Sequence, residues 1–248
     1  MRIGCAGWSI PRGSACYFPG SGSHLERYAA RLDAVEINSS FYRAHRRATY
    51  ERWAAAVPSG FRFSVKLVRE LTHDARLTET DGLRDFFDQV GALGTRLGVV
   101  LVQLPPSLAF DARRARRFFA ALRNRYLGGV ACEPRHATWF TPRADALLRD
   151  AEIARVAADP PCVPAAALPG GWPGLIYHRL HGSPRTYWSA YSESYLEALV
   201  TRLERTAPSA ETWCVFDNTA AGAAVENALH VARVLGALAK KRARRSEA

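Results

Sequence analysis

The chain has 248 residues, 48% of them hydrophobic, and a formal net charge of +11. That is enough for one large domain or two small ones with a real core, and no run of about 18 apolar residues is present to span a membrane. The five cysteines are odd in number and include no CxxC pair, which argues against a disulfide framework or a structural zinc site.

The N-terminus enters a strand-like pattern at once, without the charged start and apolar stretch of a signal peptide, so a cytoplasmic protein is expected. Five bases and one acid in the last nine residues contribute +4 of the charge and leave +7 for the rest. Residues 240–248 are therefore read as a basic tail behind a single domain spanning residues 1–239. A basic body suits anionic partners such as phosphates or nucleic acid. Arginine dominates over lysine along the whole chain, however, as a general composition bias would also produce.

The first strand is Arg2-Ile3-Gly4-Cys5-Ala6, followed by a loop rich in Gly, Ser and Pro that carries Trp8, Tyr17 and Phe18. A helix spans 24–32, with Leu25, Tyr28, Ala29 and Leu32 on one face. The second strand is Ala34-Val35-Glu36-Ile37-Asn38. Alternation puts Val35 and Ile37 on one face and Glu36 and Asn38 on the other. A helix over 49–57 stops before Pro58. Strand three, 61–66, alternates Phe61, Phe63 and Val65 against Arg62, Ser64 and Lys66, and a polar loop over 70–80 leads to a helix from Gly82 to about Leu93. Strand four, 98–104, is apolar almost throughout, as suits a parallel strand covered on both sides.

Asp111 caps a helix running to about Tyr126, with Arg113, Arg114, Arg116 and Arg117 on its outer face. Strand five, 129–133, ends in Glu133 before Pro134-Arg135-His136. Thr141-Pro142 supplies a cap and first-turn proline for the next helix. Strand six is 154–159 and ends in Asp159. Strand seven, 175–181, puts Tyr177, Arg179 and His181 on one face. A loop with Tyr187, Trp188 and Tyr191 leads to a helix through about Arg205. Strand eight, 212–217, ends in Asp217-Asn218, and a last helix runs from about Gly222 to Leu238. Cys5, Cys132 and Cys214 fall inside apolar strands and are read as small buried hydrophobes.

Strands alternating with helices fit either a doubly wound sheet or a (β/α)8 barrel. Eight units in about 240 residues is the usual barrel size. No GxGxxG or GxxxxGK[ST] supports an open nucleotide-binding sheet. The expected fold is therefore α/β, a single-domain (β/α)8 TIM barrel.

In a barrel the C-terminal strand ends converge on one mouth, where known active sites lie. Every strand but the first delivers a polar group there: Glu36 and Asn38, Lys66, Gln103, Glu133 with Arg135 and His136, Asp159, Arg179 and His181, and Asp217 with Asn218. Glu36, Glu133, Asp159, Asp217 and His181 are the candidate acids and bases. Lys66, Arg135 and Arg179 can hold an anion, and His136 can shuttle a proton. Trp8, Phe41, Tyr42 and Tyr187 are candidate stacking walls. The carboxylates and histidines can also hold a divalent metal, Mg²⁺, Mn²⁺ or Zn²⁺, but three cations in the same mouth can neutralise the carboxylates without one. No HExxH fixes a metal, and the cofactor stays open. His24, His45, His73, His178 and His230 read as surface or packing residues.

Taken in order, Gly4-Cys5-Ala6-Gly7-Trp8-Ser9, Val35-Glu36-Ile37-Asn38-Ser39-Ser40-Phe41-Tyr42, Phe61-Arg62-Phe63-Ser64-Val65-Lys66, Val102-Gln103-Leu104-Pro105-Pro106, Glu133-Pro134-Arg135-His136, Tyr177-His178-Arg179-Leu180-His181-Gly182 and Phe216-Asp217-Asn218-Thr219 resemble the DUF72, or YecE-like, family. The resemblance runs over nearly the whole chain and implies a single TIM barrel, without naming a reaction. The chain departs from the family's usual pattern at Ile10-Pro11-Arg12-Gly13 and at Ala44-His45, both in loops.

Three functions stay open. The first is an enzyme acting by acid/base chemistry, isomerase- or hydrolase-like, on a small polar substrate, phosphorylated or sugar-like. The second is a nucleic-acid binder or phosphodiesterase. The third is a non-catalytic barrel that binds a metabolite or a protein.

Overall fold

A computed structural model of the protein describes residues 1–206 and 210–246, with side-chain surroundings through residue 239. The strands are β1 (Arg2–Ala6), β2 (Ala34–Ile37), β3 (Arg62–Lys66), β4 (Leu97–Gln103), β5 (Gly129–Glu133), β6 (Ala154–Arg155), β7 (Ala157–Asp159), β8 (Gly170–Gly171), β9 (Leu175–Leu180) and β10 (Glu211–Phe216). The α-helices are α1 (His24–Ala29), α2 (Arg47–Ala55), α3 (Gly82–Val90), α4 (Ala112–Arg123), α5 (Pro142–Asp150), α6 (Glu193–Thr206) and α7 (Ala223–Ser246).

β6 and β7 are two halves of one stretch, hinged at Val156, whose N–H donates to Cys132 O at 2.9 Å. The first half pairs with β5 and the second with β9. The order β9-β10-β1-β2-β3-β4-β5 supplies the rest of the ring, and all of its pairs are parallel. The ring is thus an eight-stranded TIM barrel, as its eight βα repeats lead one to expect. β8 is an addition, antiparallel to β6.

Strand alternation sorts side chains into two cores. Val35, Ile37, Phe63, Val65, Val100, Val102, Val130, Cys132, Cys214 and Phe216 face out into a large core shared with the helices. Ala34, Val99, Leu101, Ala131, Val156, Leu175, Tyr177, Trp213 and Val215 face in and fill the barrel. The register between β3 and β4 slips by one residue at Gly98. A Cβ there would come within 2.6 Å of the Trp213 ring, so glycine makes room for the largest side chain inside. Trp213 in turn stacks on Tyr177, with centroids 6.0 Å apart.

The expected caps are in place. Asp111 accepts a hydrogen bond from Arg114 N at 2.8 Å, and Thr141 from Ala144 N at 3.3 Å, with Pro142 opening α5. Ser23 and Glu26 form a capping box at α1.

Three elements differ from expectation. Strand six, expected without a break over 154–159, divides into β6 and β7, and the loop after it, rich in Pro, Ala and Gly, holds only a 3-10 turn, Pro164–Ala167. The loop after β3 contains a π-type turn, Glu70–Asp74, and buries Leu71 and Leu77 in the core. α7 continues to Ser246, past the expected end near Leu238. The side chains of the basic stretch 240–248, and residues 247–248 altogether, lie outside the described residues.

Candidate active site

The inward face that is apolar at mid-barrel turns polar at the C-terminal ends of the strands. Glu36, Ser64, Lys66, Gln103, Glu133, Arg179, His181 and Asp217 are all buried there. Position follows from the period of two. Ser64 and Lys66 lie two residues apart on β3, and Tyr177, Arg179 and His181 climb one face of β9 and its extension.

Arg179 is the hub. Its Nε and Nη2 donate to the Glu36 carboxylate, Nη2 at 2.7 Å from Oε1 and Nε at 3.0 Å from Oε2. Nη1 donates to Glu133 Oε2 at 3.1 Å, and Nη2 lies 3.0 Å from Asp217 Oδ2. One guanidinium therefore binds three carboxylates, using the fork that lysine lacks. From below, the Tyr177 hydroxyl donates to Glu36 Oε2 at 2.9 Å and lies 3.0 Å from Ser64 Oγ. Burial, followed by the nearby Glu36 charge, holds that phenol well above its ordinary value.

His181 stands between two carboxylates. Its Nδ1 is 3.0 Å from Asp217 Oδ2 and its Nε2 is 3.0 Å from Glu133 Oε1. Ionised carboxylates only accept hydrogen bonds, so this placement favours the ring with protons on both nitrogens. Burial alone would lower its pKa; Glu133 and Asp217 outweigh that and raise it. The two carboxylates move the other way. Burial pushes Glu133 up, but Arg179, His181 and Arg135 bring it well below the usual range. Burial likewise raises Asp217, and Arg179 and His181 more than offset it. Arg135 completes the group, with Nε 3.1 Å from Glu133 Oε1 and Nη2 donating to the Tyr187 hydroxyl at 3.4 Å.

Lys66 is the exception. It is 5% exposed, and its Nζ lies 4.0 Å from the Phe41 ring centroid. Among the described residues Nζ has neither a hydrogen bond nor an ion pair, yet it is not sealed from solvent. Burial and the Arg179 charge lower its pKa to about 8, only partly countered by Glu36, Glu133 and Asp217. Four cations (Arg135, Arg179, His181 and protonated Lys66) thus face three carboxylates (Glu36, Glu133 and Asp217). Gln103, beside Glu133 in the register, is also buried without a side-chain partner among the described residues, and so is Asn38 Oδ1.

Tyr187 closes over the cluster. Its ring meets His181 edge-on at 5.6 Å, and its φ is +69°, a conformation that costs a non-glycine residue energy. Phe41 meets Tyr42 edge-on at 4.9 Å. A pocket of about 320 Å³ opens over Glu133, Arg135 and His181 and reaches Cys162 and Thr186. Larger hollows of about 370, 450 and 580 Å³ lie between Tyr17 and α7, beside Met1 and Ile3 at the opposite end of the barrel, and between α4 and α5, and none of them touches the polar cluster.

Four of the expected site residues have their bonds or ring contacts outside the charged cluster. Asp159 accepts from the Tyr191 hydroxyl at 2.8 Å and anchors the loop after β9. His136 Nδ1 accepts from Thr138 N, at 3.3 Å, and caps a short turn. Asn218 donates to Ser189 O and Asn227 Oδ1, both at 2.9 Å, tying α7 to a loop. The Trp8 ring packs edge-on against Trp53 of α2 at 5.0 Å. Conversely, Ser64 and Tyr177 join the cluster, and both share a strand face with an expected member. His73, expected at the surface or in packing, packs on Phe41 from the π-type turn, with ring centroids 4.9 Å apart. There burial and the charges of Lys66, Arg69 and Arg135 lower its pKa to about 4. No period in the loop announces that placement.

Among the described residues no group of three or more His, Cys, Asp or Glu side chains is arranged to hold a metal ion. The Arg179 guanidinium lies between the three carboxylates. Three of the five arginines on α4 are also committed, Arg114 to Arg76 O, Arg117 to Thr78 O and Arg123 to Ala151 O. No helix among the described residues is long and apolar enough to cross a membrane.

A family model described as "Protein of unknown function DUF72" matches residues 2–248. The chain is 28% identical over 153 residues to UPF0759 protein YunF of Bacillus subtilis, covering 57% of this chain and 53% of that one. It is 29% identical over 142 residues to UPF0759 protein YecE of Escherichia coli K12, covering 56% and 50%. The chain thus spans about half the length of the relatives it matches. Among solved structures, a DUF72 family protein of Enterococcus faecalis V583 superposes with a TM-score of 0.80 at 21% identity, covering 95% of both chains. Another, from Thermotoga maritima, gives 0.77 at 25% identity, covering 95% of this chain and 98% of that one.

Proposed function

The chain belongs to the DUF72 family, and from that premise we propose that its barrel mouth is the active site of an enzyme that binds a small anionic, phosphorylated or sugar-like substrate and transforms it by acid/base chemistry. The observation that carries this reading is the excess of cationic groups over carboxylates in the cluster, with Lys66 lacking a hydrogen-bond or ion-pair partner among the described residues. A purely structural network would pair every charge, since an unpaired buried charge is costly. A bound anion supplies the missing partner. Buried Gln103, and half-buried Asn38 through its Oδ1, have polar atoms without a partner among the described residues, which suits the hydroxyl groups of a sugar-like ligand.

The division of labour follows from the bonds. Arg179 orients Glu36, Glu133 and Asp217. Glu133 and Asp217 hold His181 protonated, which makes it the candidate acid. Lys66, which titrates at about 8, is the cation of the group able to give up its proton near neutral pH. Arg135 and Tyr187, which reach toward solvent, meet the substrate's anionic group.

The test is binding and turnover across a panel of sugar phosphates, phosphorylated polyols and neutral sugars, followed by NMR, with wild type and Glu133→Gln. Binding of phosphorylated members, with turnover lost in Glu133→Gln, is expected. Binding of none of them contradicts the reading. Tight, salt-sensitive binding of RNA or DNA instead would replace it with a nucleic-acid function.

A further inference from the structure

The sequence contains 34 lysines and arginines, of which only Lys66, Lys240 and Lys241 are lysine, leaving 31 arginines. Where a positive charge alone is wanted, this chain uses arginine, even at the buried hub of the site. The one lysine before residue 240 is the last residue of β3, buried at the barrel mouth and without a hydrogen-bond or ion-pair partner among the described residues. Lysine differs from arginine in chemistry more than in charge. Its amine can lose a proton near neutral pH and attack an electrophile; a guanidinium cannot.

We propose that Lys66 is a nucleophile, and that its Nζ captures the carbonyl group of a small anionic aldehyde or ketone as an imine at the barrel mouth. The inference rests on the reading of the mouth as an anion site and names the substrate class for it. The neutral amine's lone pair forms the C–N bond to the carbonyl carbon. The two amine protons leave with the carbonyl oxygen as water, so no oxidant or reductant is needed.

The surroundings suit the step. Phe41 covers one side of Nζ, and Glu36, Glu133, Asp217 and His181 can relay protons to the departing oxygen. The other charged and titratable groups facing Lys66 are Arg179 and His73, with Arg135 acting on the same corner. A lysine titrating at about 8 is roughly one-tenth neutral at pH 7, against about one part in 2,500 for an ordinary lysine.

The scarcity of lysine makes the test clean. The protein is incubated at pH 7.5 with dihydroxyacetone phosphate or pyruvate and sodium cyanoborohydride, then digested and mapped by mass spectrometry. Cleavage at arginine releases Lys66 in the peptide of residues 63–69, and Lys240 and Lys241 report background labelling. Glycerol 3-phosphate and lactate, which carry the same anions without a carbonyl, are measured in parallel by thermal shift.

Reduced adduct at Lys66, at least about tenfold above Lys240 and Lys241 and absent from Lys66→Arg, is expected. Equal labelling of all three lysines overturns the proposal. If glycerol 3-phosphate or lactate stabilises the protein while Lys66 stays unlabelled, the imine is wrong and the anion site stands. If neither stabilises it and no adduct forms, both fail. Lys66→Met serves as a second variant should Lys66→Arg fold poorly.

Discussion

Two layers of the same barrel interior, two or three residues apart along each strand, obey different rules. The lower layer, with Trp213 stacked on Tyr177 among Val99, Leu101, Ala131 and Val215, is apolar and fills space. The upper layer, with Arg179 joining Glu36, Glu133 and Asp217, is charged and equally buried. Burying apolar area stabilises a fold by about 25 cal/mol per Å². Burying ion pairs returns little, because desolvation cancels most of the attraction. The lower layer accounts for the barrel's stability. The upper layer sacrifices some of it for chemistry, and Tyr177 joins the two by stacking below and hydrogen bonding above.

The sharpest break in this contrast is at the hub. Arg179→Met leaves three buried carboxylates without their shared partner and should cost about 3–5 kcal/mol in urea unfolding. Arg179→Met with Glu36→Leu should cost less than Arg179→Met alone, because a charge leaves with its counter-charge. Simple addition of the two single effects would mean that the cluster does not act as a unit.

Lys66 should act in the opposite direction. It releases its proton at about 8 when folded, against an ordinary value of 10.5. Between those values the unfolded chain binds more protons, so stability rises with pH; below 8 the penalty is present in full. Lys66→Met should therefore exceed wild type by about 3 kcal/mol at pH 7, a gap that narrows as the pH approaches 10. A gap that does not change with pH would show that Lys66 is an ordinary lysine.

Tyr177→Phe removes the link between the layers while keeping the stack. It should cost about 1.5–3 kcal/mol, the range for a hydrogen bond to a charged group. A smaller effect would mean that Arg179 holds Glu36 without help from the phenol. At the low end is the exposed Arg47–Glu51 pair on α2. Arg47→Ala should change stability by about 0.5 kcal/mol or less, which sets the scale for surface charge against the buried cluster.

Much of this contrast is legible in the sequence. A period of two puts Val35 and Ile37 outside with Glu36 inside, Val65 outside with Ser64 and Lys66 inside, and Tyr177, Arg179 and His181 together. The eight βα repeats then bring those ends to one mouth. Alternation lapses where strands end. Asp159, His136 and Asn218 stand just beyond or at that limit, and local turns claim them for Tyr191, Thr138 and Asn227. Composition also cannot say which cation sits among the carboxylates. Arg179 and Arg135 look alike in sequence, and only closure of the ring makes one the hub. His73 depends on a π-type turn, which has no period to read.

The most direct measurement is NMR of protein labelled with [13Cε]lysine, titrated from pH 6 to 11. With three lysines in the chain, three signals are expected, and one of them should titrate near 8 and vanish in Lys66→Arg. Saturating inorganic phosphate should raise that midpoint, because a bound anion favours the ammonium. Three signals that all titrate near 10.4, unmoved by phosphate, would contradict an unpaired amine poised at the barrel mouth.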